Sequence, residues 1–237
     1  MPTDVLVHGA WAGAHGFHLV RPLLRQAGHD VYTPSLTGIG ERVHLSSPQV
    51  DLTTHITDVV NTILYEDLDE ITLLGFSYGG MVVTGALAHV ADRVRHLVYL
   101  DAFVPDDGDS VLRLTAGIDL LPVTLGAESL VAPAERTYDD PDESAFQSPR
   151  RVAHPMGCFT EAVRLPMPLE DFPFTRTFIK ATADARGEPG NDVFWAAADR
   201  AKRSDAWSYH EIDSNHMVPN NKPGALADLL LALDRAD

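Results

Sequence analysis

The chain has 237 residues, of which 45% are hydrophobic and 22% are charged, the proportions of an ordinary globular protein. Its formal net charge of −16 argues against nucleic acid and anionic membrane as partners, because both repel an acidic surface. The one cysteine, Cys158, excludes an internal disulfide framework. The sequence has no apolar run as long as a membrane span and no secretory-type leader, so we expect a soluble, cytoplasmic protein.

The hydrophobic pattern predicts strands that alternate with helices. The predicted strands are 3–8, 30–36, 71–76, 95–101, 175–182 and 207–212, and the predicted helices are 18–27, 52–65, 78–90, 193–202 and 224–233. Strands and helices that alternate at this spacing form βαβ units. The sequence therefore predicts an α/β fold with a mostly parallel sheet and helices on both faces.

The alternation breaks between residues 105 and 172. This segment is rich in proline and weakly periodic, although Leu112, Phe146 and Phe159 give it apolar anchors that a disordered linker would lack. It is inserted between two sheet strands, at the edge where ligands bind in α/β folds. We predict a core made of residues 1–104 and 173–237, and a cap or lid made of residues 105–172.

A serine between glycines follows the third predicted strand. The stretch Gly75-Phe76-Ser77-Tyr78-Gly79 fits the pattern G-x-S-x-G, a sharp strand-to-helix turn that lifts a serine hydroxyl above the sheet edge. Side chains on the neighbouring residues would clash in so tight a turn, which explains the glycines. The following helix directs the positive end of its dipole at the hydroxyl. We therefore predict that Ser77 is a nucleophile.

A serine hydroxyl needs a base to remove its proton, and we expect a histidine. Where such a serine stands on a strand-to-helix elbow above a mostly parallel sheet, an acid and then a histidine follow it along the chain. His216 lies in the loop between the last predicted strand and the last predicted helix, at the same sheet edge as Ser77. His210 lies inside that strand, so we predict that His216 is the base.

Three carboxylates compete for the role of the acid that orients His216. Asp184 follows the strand next to the one that precedes His216, where a carboxylate can accept a hydrogen bond from the imidazole. Asp192 stands at the start of a predicted helix, which it can cap instead. Asp101 ends an earlier strand. We predict Asp184, with Asp192 and Asp101 as the alternatives.

An oxyanion hole is predicted from the backbone N–H groups of Tyr78, which follows the nucleophile, and Ala10, in the loop HGAWAGAHG. The spacing of that loop fits neither the dinucleotide-binding nor the Walker pattern. The histidines do not show the spacing of zinc ligands. We therefore expect neither a metal nor an organic cofactor.

These motifs together resemble the α/β-hydrolase superfamily, and within it the small esterases related to plant methyl esterases, hydroxynitrile lyases and bacterial pyrethroid-hydrolase-like enzymes. The stretches that carry the resemblance are VLVHGAW, LTGIGERVHLSSPQVDLTTHITDV, LLGFSYGGMVV, LVYLDAFVPDDGDS and SNHMVPNNKP. The resemblance implies a triad of Ser77, His216 and Asp184, with the Ala10 and Tyr78 amides as the oxyanion hole. It weakens in the predicted cap, where substrate choice is made.

The resemblance also separates reaction classes. Hydroxynitrile lyases on this scaffold typically carry a threonine where this chain has Gly9, and a lysine where it has Met217. Without a cation near the leaving group cyanide would not be stabilised, so hydrolysis is favoured. The expected function is cleavage of a carboxylic ester of a small to medium apolar substrate through an acyl-enzyme. The alternatives are a lyase or cyclase-type enzyme of secondary metabolism and a low-turnover small-molecule binder on the same scaffold.

Overall fold

Strands and helices alternate through most of the computed structural model, which describes residues 1–115, 123–124, 129–188 and 190–234. In chain order the strands are β1 (Thr3–Val7), β2 (Asp30–Tyr32), β3 (Ile71–Phe76), β4 (Val94–Leu100), β5 (Val123–Thr124), β6 (Leu130–Val131), β7 (His154–Pro155), β8 (Thr175–Ala181) and β9 (Ser208–Ile212). The helices are α1 (Val20–Gln26), α2 (Leu52–Tyr65), α3 (Gly79–Val90), α4 (Val111–Leu114), α5 (Pro141–Gln147), α6 (Gly157–Thr160), α7 (Asp192–Lys202), α8 (Val218–Asn221) and α9 (Pro223–Leu233).

Six of these strands form one parallel sheet, in the order β2-β1-β3-β4-β8-β9. Successive side chains of a strand point to opposite faces, and both faces of this sheet are buried. On β1, Val5 and Val7 pack into the core that contains residues of α2, α3 and α7, whereas Leu6 packs into the core that contains residues of α1 and α9. The α/β architecture with helices on both faces is confirmed.

Helix α2 begins at Leu52 because Asp51 caps it. The Asp51 carboxylate accepts a hydrogen bond from the Thr54 amide at 2.8 Å, and the Thr54 hydroxyl accepts one from the Asp51 amide, which is a reciprocal capping box. The helix then buries Ile56 against the core. The same helix carries His55 to the interior beside the strand-to-helix turn that ends β3.

Two short features depart from the predicted elements. Strand β2 ends at Tyr32 and not at residue 36, because Pro34 has no N–H to donate to a ladder. Between β4 and β8 the structure contains short helices and the antiparallel sheet β5-β6-β7. Residues 116–122 and 125–128 of the predicted cap lie outside the described residues, and the cap boundaries stay a prediction. In the described part of the chain, no helix has the length and apolar character that a membrane crossing needs.

A buried ionic cluster joins β1 to the last helix. The Nδ1 atom of His29 lies 2.8 Å from Oδ2 of Asp4 and 3.3 Å from Oδ2 of Asp234, and Arg95 contacts the other oxygen of Asp234. Burial raises the pKa of Asp4 to about 6, although the hydrogen bond from His29 opposes that rise. Removing the imidazole therefore leaves a poorly solvated carboxylate without its partner.

The His29→Ala variant should lower the free energy of unfolding by about 3 kcal/mol, the cost of leaving the buried Asp4 carboxyl without its hydrogen-bond partner. Urea unfolding at pH 7 measures this change. The matched control is His44→Ala, which removes an exposed imidazole and should change the free energy by less than about 0.5 kcal/mol. Equal stability of the two variants would contradict a structural role for the cluster.

Candidate active site

Ser77 occupies the strained turn between β3 and α3. Its φ angle is +55°, a left-handed conformation that L-residues rarely adopt. A Cβ atom on Gly75 would lie 2.7 Å from the Gly79 carbonyl oxygen, and one on Gly79 would lie 2.5 Å from the Val7 carbonyl oxygen. The two glycines therefore allow the turn to pack directly on itself and on the end of β1.

His216 lies in the loop after β9, at the same sheet edge. Its Nε2 atom is 2.8 Å from Oγ of Ser77, the distance of a hydrogen bond that the hydroxyl donates. The imidazole stacks on Phe194 with ring centroids 4.8 Å apart and tilts against Phe76 at 4.9 Å. These two phenyl rings exclude water from both faces and fix the plane of the imidazole.

The carboxylate that contacts the imidazole belongs to Asp101. Its Oδ2 lies 2.7 Å from Nδ1 of His216, because a φ angle of +40° at the end of β4 turns the side chain toward the loop after β9. The prediction that Asp184 accepts from the imidazole is therefore wrong. Oδ2 of Asp184 instead accepts a hydrogen bond from the His216 backbone N–H at 2.7 Å. Asp192, the other alternative, is the first residue of α7 and accepts from the Gly187 amide.

Burial and charge act in opposite directions on these groups. Burial alone would raise the pKa of Asp101, but the hydrogen bond and charge of His216, together with the Lys180 ammonium, lower it overall. Burial lowers the pKa of His216, and Asp101 only partly compensates. The resting pair is therefore an ionised carboxylate and a neutral imidazole, the state in which Nε2 can accept a proton.

The Ala10 and Tyr78 amides lie beside Ser77, at the cavity described below. Neither N–H donates to another described residue. A Cβ on Gly9 would lie only 3.0 Å from the Ser77 Cβ, so the loop that carries Ala10 packs directly on the nucleophile turn. This arrangement can present two donors to an oxygen above Ser77.

Two buried histidines hold the loops of this region. His8 donates from Nδ1 to the Gly9 carbonyl at 2.9 Å and accepts at Nε2 from the Leu36 amide at 3.2 Å. His55 donates from Nε2 to the Thr37 carbonyl at 2.8 Å and accepts at Nδ1 from the Tyr78 hydroxyl at 3.0 Å. Each ring nitrogen has one role, so both imidazoles must be neutral.

A cavity of about 560 Å³ opens over Ser77 and His216. Most of its wall is apolar, and the wall also includes charged side chains. The apolar and aromatic residues of the wall are Trp11, Tyr78, Phe103, Val111, Leu114, Phe159, Val193, Phe194 and Met217. The charged residues are Glu135, Arg136, Asp184, Glu188 and Asp192. The cavity is large enough for a small organic molecule with an apolar group.

One buried group of metal-ligand type lies next to this region. Potential ligand atoms of His55, His154 and Cys158 lie within 4.8 Å of one another. However, both nitrogens of His55 already form hydrogen bonds, Nδ1 of His154 accepts from the Trp11 amide at 3.2 Å, and burial raises the pKa of the Cys158 thiol. These contacts are those of a buried polar network, and we assign no ion to it.

The family model "Alpha/beta hydrolase family" matches residues 5–229, most of the chain. The chain belongs to this family. The family resemblance and the fold class expected from the sequence are thereby confirmed, and the serine-centred contacts lie where the nucleophile turn of such a fold places them.

Relatives of this chain include esterases. A carbendazim hydrolyzing esterase from Nocardioides sp. (strain SG-4G) is 53% identical over 114 residues, which are 48% of this chain and 47% of that protein. An alpha-hydroxynitrile lyase from Arabidopsis thaliana is 33% identical over 43% of this chain and 40% of its own length. The matched parts thus span less than half of these relatives. An extracellular alpha/beta-hydrolase from a Paenibacillus species has the same fold, with a TM-score of 0.79, 24% identity and 98% coverage of both chains.

Three features of the site do not follow from the sequence pattern. The pattern predicts only a helix at Phe194 and only a strand at Lys180, and it favours Asp184 over Asp101 as the acid. The sequence does carry one signal for Lys180, since a lysine in a buried strand needs a partner.

The free energy of unfolding should fall as the pH drops from about 6.5 to 4. Burial lowers the pKa values of His8 and His55 to about 4, whereas the same imidazoles in the unfolded chain bind protons below about pH 6.5. Protons therefore favour the unfolded state in this window, and each residue should account for a loss of about 3 kcal/mol.

Urea unfolding at several pH values measures this slope. His55→Gln removes one of the titrating groups and should reduce the slope by about 1.4 kcal/mol per pH unit. The exposed His89→Ala is the matched control and should keep the wild-type slope. An unchanged slope in His55→Gln would mean that His55 is not held neutral.

Proposed function

We propose that this alpha/beta hydrolase is a serine esterase that works through an acyl-enzyme. The observation that carries the proposal is the continuous set of contacts from Ser77 Oγ to His216 Nε2, at 2.8 Å, and from His216 Nδ1 to Asp101 Oδ2, at 2.7 Å. Esterase relatives support the same reaction class. The acid of the proposed triad is Asp101.

In the proposed mechanism the Ser77 oxygen attacks the ester carbonyl while its proton moves to Nε2 of His216. The carbonyl oxygen becomes an oxyanion that accepts hydrogen bonds from the Ala10 and Tyr78 amides. The tetrahedral intermediate then expels the alcohol, which takes the proton from His216. A water molecule repeats the sequence on the acyl-enzyme, releases the carboxylic acid and restores Ser77.

The environment of His216 suits this cycle. The imidazole is neutral at rest because burial lowers its pKa, and Asp101 stabilises the imidazolium that forms in each half-reaction. The phenyl rings of Phe76 and Phe194 keep the ring in one plane. Nε2 therefore faces Ser77 without a change of rotamer between the two proton transfers.

We propose a small to medium ester with an apolar group as the substrate. The apolar wall of the 560 Å³ cavity supports this size and character. The name of the Nocardioides relative makes carbendazim a reasonable member of the first substrate panel, beside p-nitrophenyl esters of increasing chain length. The acidic chain is not expected to act on nucleic acid or anionic membranes.

Ser77→Ala should lower kcat/KM for a short p-nitrophenyl ester by at least about a thousandfold, because it removes the nucleophile. Steady-state kinetics of the purified proteins measure the loss. Ser208→Ala, which removes an exposed hydroxyl on β9, is the matched control and should keep wild-type activity. Full esterase activity in Ser77→Ala would overturn the esterase proposal. So would a wild type that hydrolyses no ester but cleaves a cyanohydrin.

A pair of isosteric variants separates the two carboxylates around His216. Asp101→Asn should lower kcat by about 10³ to 10⁴, because the imidazole loses the partner that fixes its tautomer. Asp184→Asn should lower kcat by less than about tenfold, since an amide oxygen can still accept from the His216 backbone N–H. The reverse order of losses would assign the catalytic acid to Asp184 after all.

A further inference from the structure

Lys180 lies at the inner end of the proposed triad. It belongs to β8, which lies between β4 and β9 in the sheet, and 1% of its side chain is exposed. Nζ lies 2.6 Å from Oδ1 of Asp101 and 2.5 Å from the carbonyl oxygen of Ala181. The ammonium also lies 4.4 Å from the ring centroid of Trp195. Each of these contacts holds the charge in a place that water does not reach.

A buried ammonium is costly, and a buried ion pair adds little net stability compared with well-packed apolar side chains. Leucine or methionine at this position would suit a strand that is buried on both faces equally well. The ammonium instead contacts the carboxylate whose other oxygen faces His216. The position of the pair points to a role in the reaction.

We propose that Lys180 is a positioning residue of the esterase, which holds Oδ1 of Asp101 so that Oδ2 stays directed at Nδ1 of His216. The proposal rests on the function proposed above.

The sheet explains how this restraint works. Strands β4 and β8 are neighbours, with Leu100 paired to Ile179, so Asp101 and Lys180 each stand one residue beyond that pair. Oδ1 of Asp101 also lies 3.3 Å from the Ala181 amide. Lys180 and Ala181 together occupy Oδ1 with two donors. Rotation of the carboxylate away from His216 would break both contacts.

The Lys180 ammonium also partly neutralises the negative charge of Asp101. Removing Lys180 takes a positive charge away from the far side of Asp101, so protonated His216 becomes easier to form. The other charged groups nearby are Glu211 on β9, Arg186 beside Trp195, and Arg136 and Asp184 on the cavity side of His216. Lys180 also contributes to the lowered pKa of Glu211, after the larger effects of Lys202 and Tyr209.

The test compares Lys180→Met and Lys180→Gln with the wild type over the pH range of activity. Both variants should lose about tenfold to a hundredfold in kcat, with KM changed by less than about twofold, because a misoriented acid affects the transition state more than binding. The acid limb of the pH profile of kcat/KM should move to higher pH by about one unit. Lys202→Met removes an exposed lysine paired with Glu211, and this control should keep the wild-type profile.

A second comparison uses Asp101→Asn and the double variant Asp101→Asn/Lys180→Met. If Lys180 acts through Asp101, the double variant should match Asp101→Asn within about twofold in kcat/KM, whereas independent roles would multiply. The double variant carries no unpaired buried charge, so this comparison remains usable even if Lys180→Met alone does not fold.

The proposal is overturned if the acid limb of the folded single variants stays in place. It is also overturned if the double variant is more than about tenfold slower than Asp101→Asn. Ser77→Ala, assayed in parallel, distinguishes failure of the proposed esterase function from failure of the proposed role of Lys180. Full activity of that variant would sink the esterase itself, whereas an inert Ser77→Ala beside unaffected lysine variants would reject only the role of Lys180.

Discussion

The strained turn at Ser77 is the constraint on which the site depends. The turn exists only because Gly75 and Gly79 let backbone pack on backbone. It places Ser77 at the carboxyl end of β3, on the sheet edge where β4, β8 and β9 also end. The Ser77 amide donates to the Leu100 carbonyl at 3.2 Å, which ties Ser77 to the strand that precedes Asp101. A parallel sheet thus brings residues far apart in sequence to one edge.

The environment of this edge decides what these groups can do. Two phenyl rings pack against His216. Because the imidazole is little exposed, the electrostatic interaction of each nearby charge with it is stronger than it would be in water. The buried polar groups satisfy one another in a chain of contacts that runs through Ser77, His216, Asp101 and Lys180. The imidazole is thereby held neutral at rest and beside an anion when it takes a proton.

The sequence predicts the sheet, most helices and the pair Ser77 and His216, since a local motif and the chain order specify them. It does not decide between Asp101 and Asp184. Both residues follow strands that are neighbours in the sheet, so both reach His216. The choice depends on the φ angle of +40° at Asp101. Contacts within the folded chain impose this angle, and no local sequence pattern predicts it.

The carboxylates of Asp101 and Asp184 restrain different parts of His216. Asp101 fixes the ring, and Asp184 fixes the backbone that carries it. A carboxylate that accepts from a backbone amide sets where the loop lies, whereas one that accepts from Nδ1 sets the tautomer and the charge. Lys180 contacts only the second of these. The catalytic acid of such a site is therefore better assigned from the atom that each carboxylate contacts than from its place along the chain.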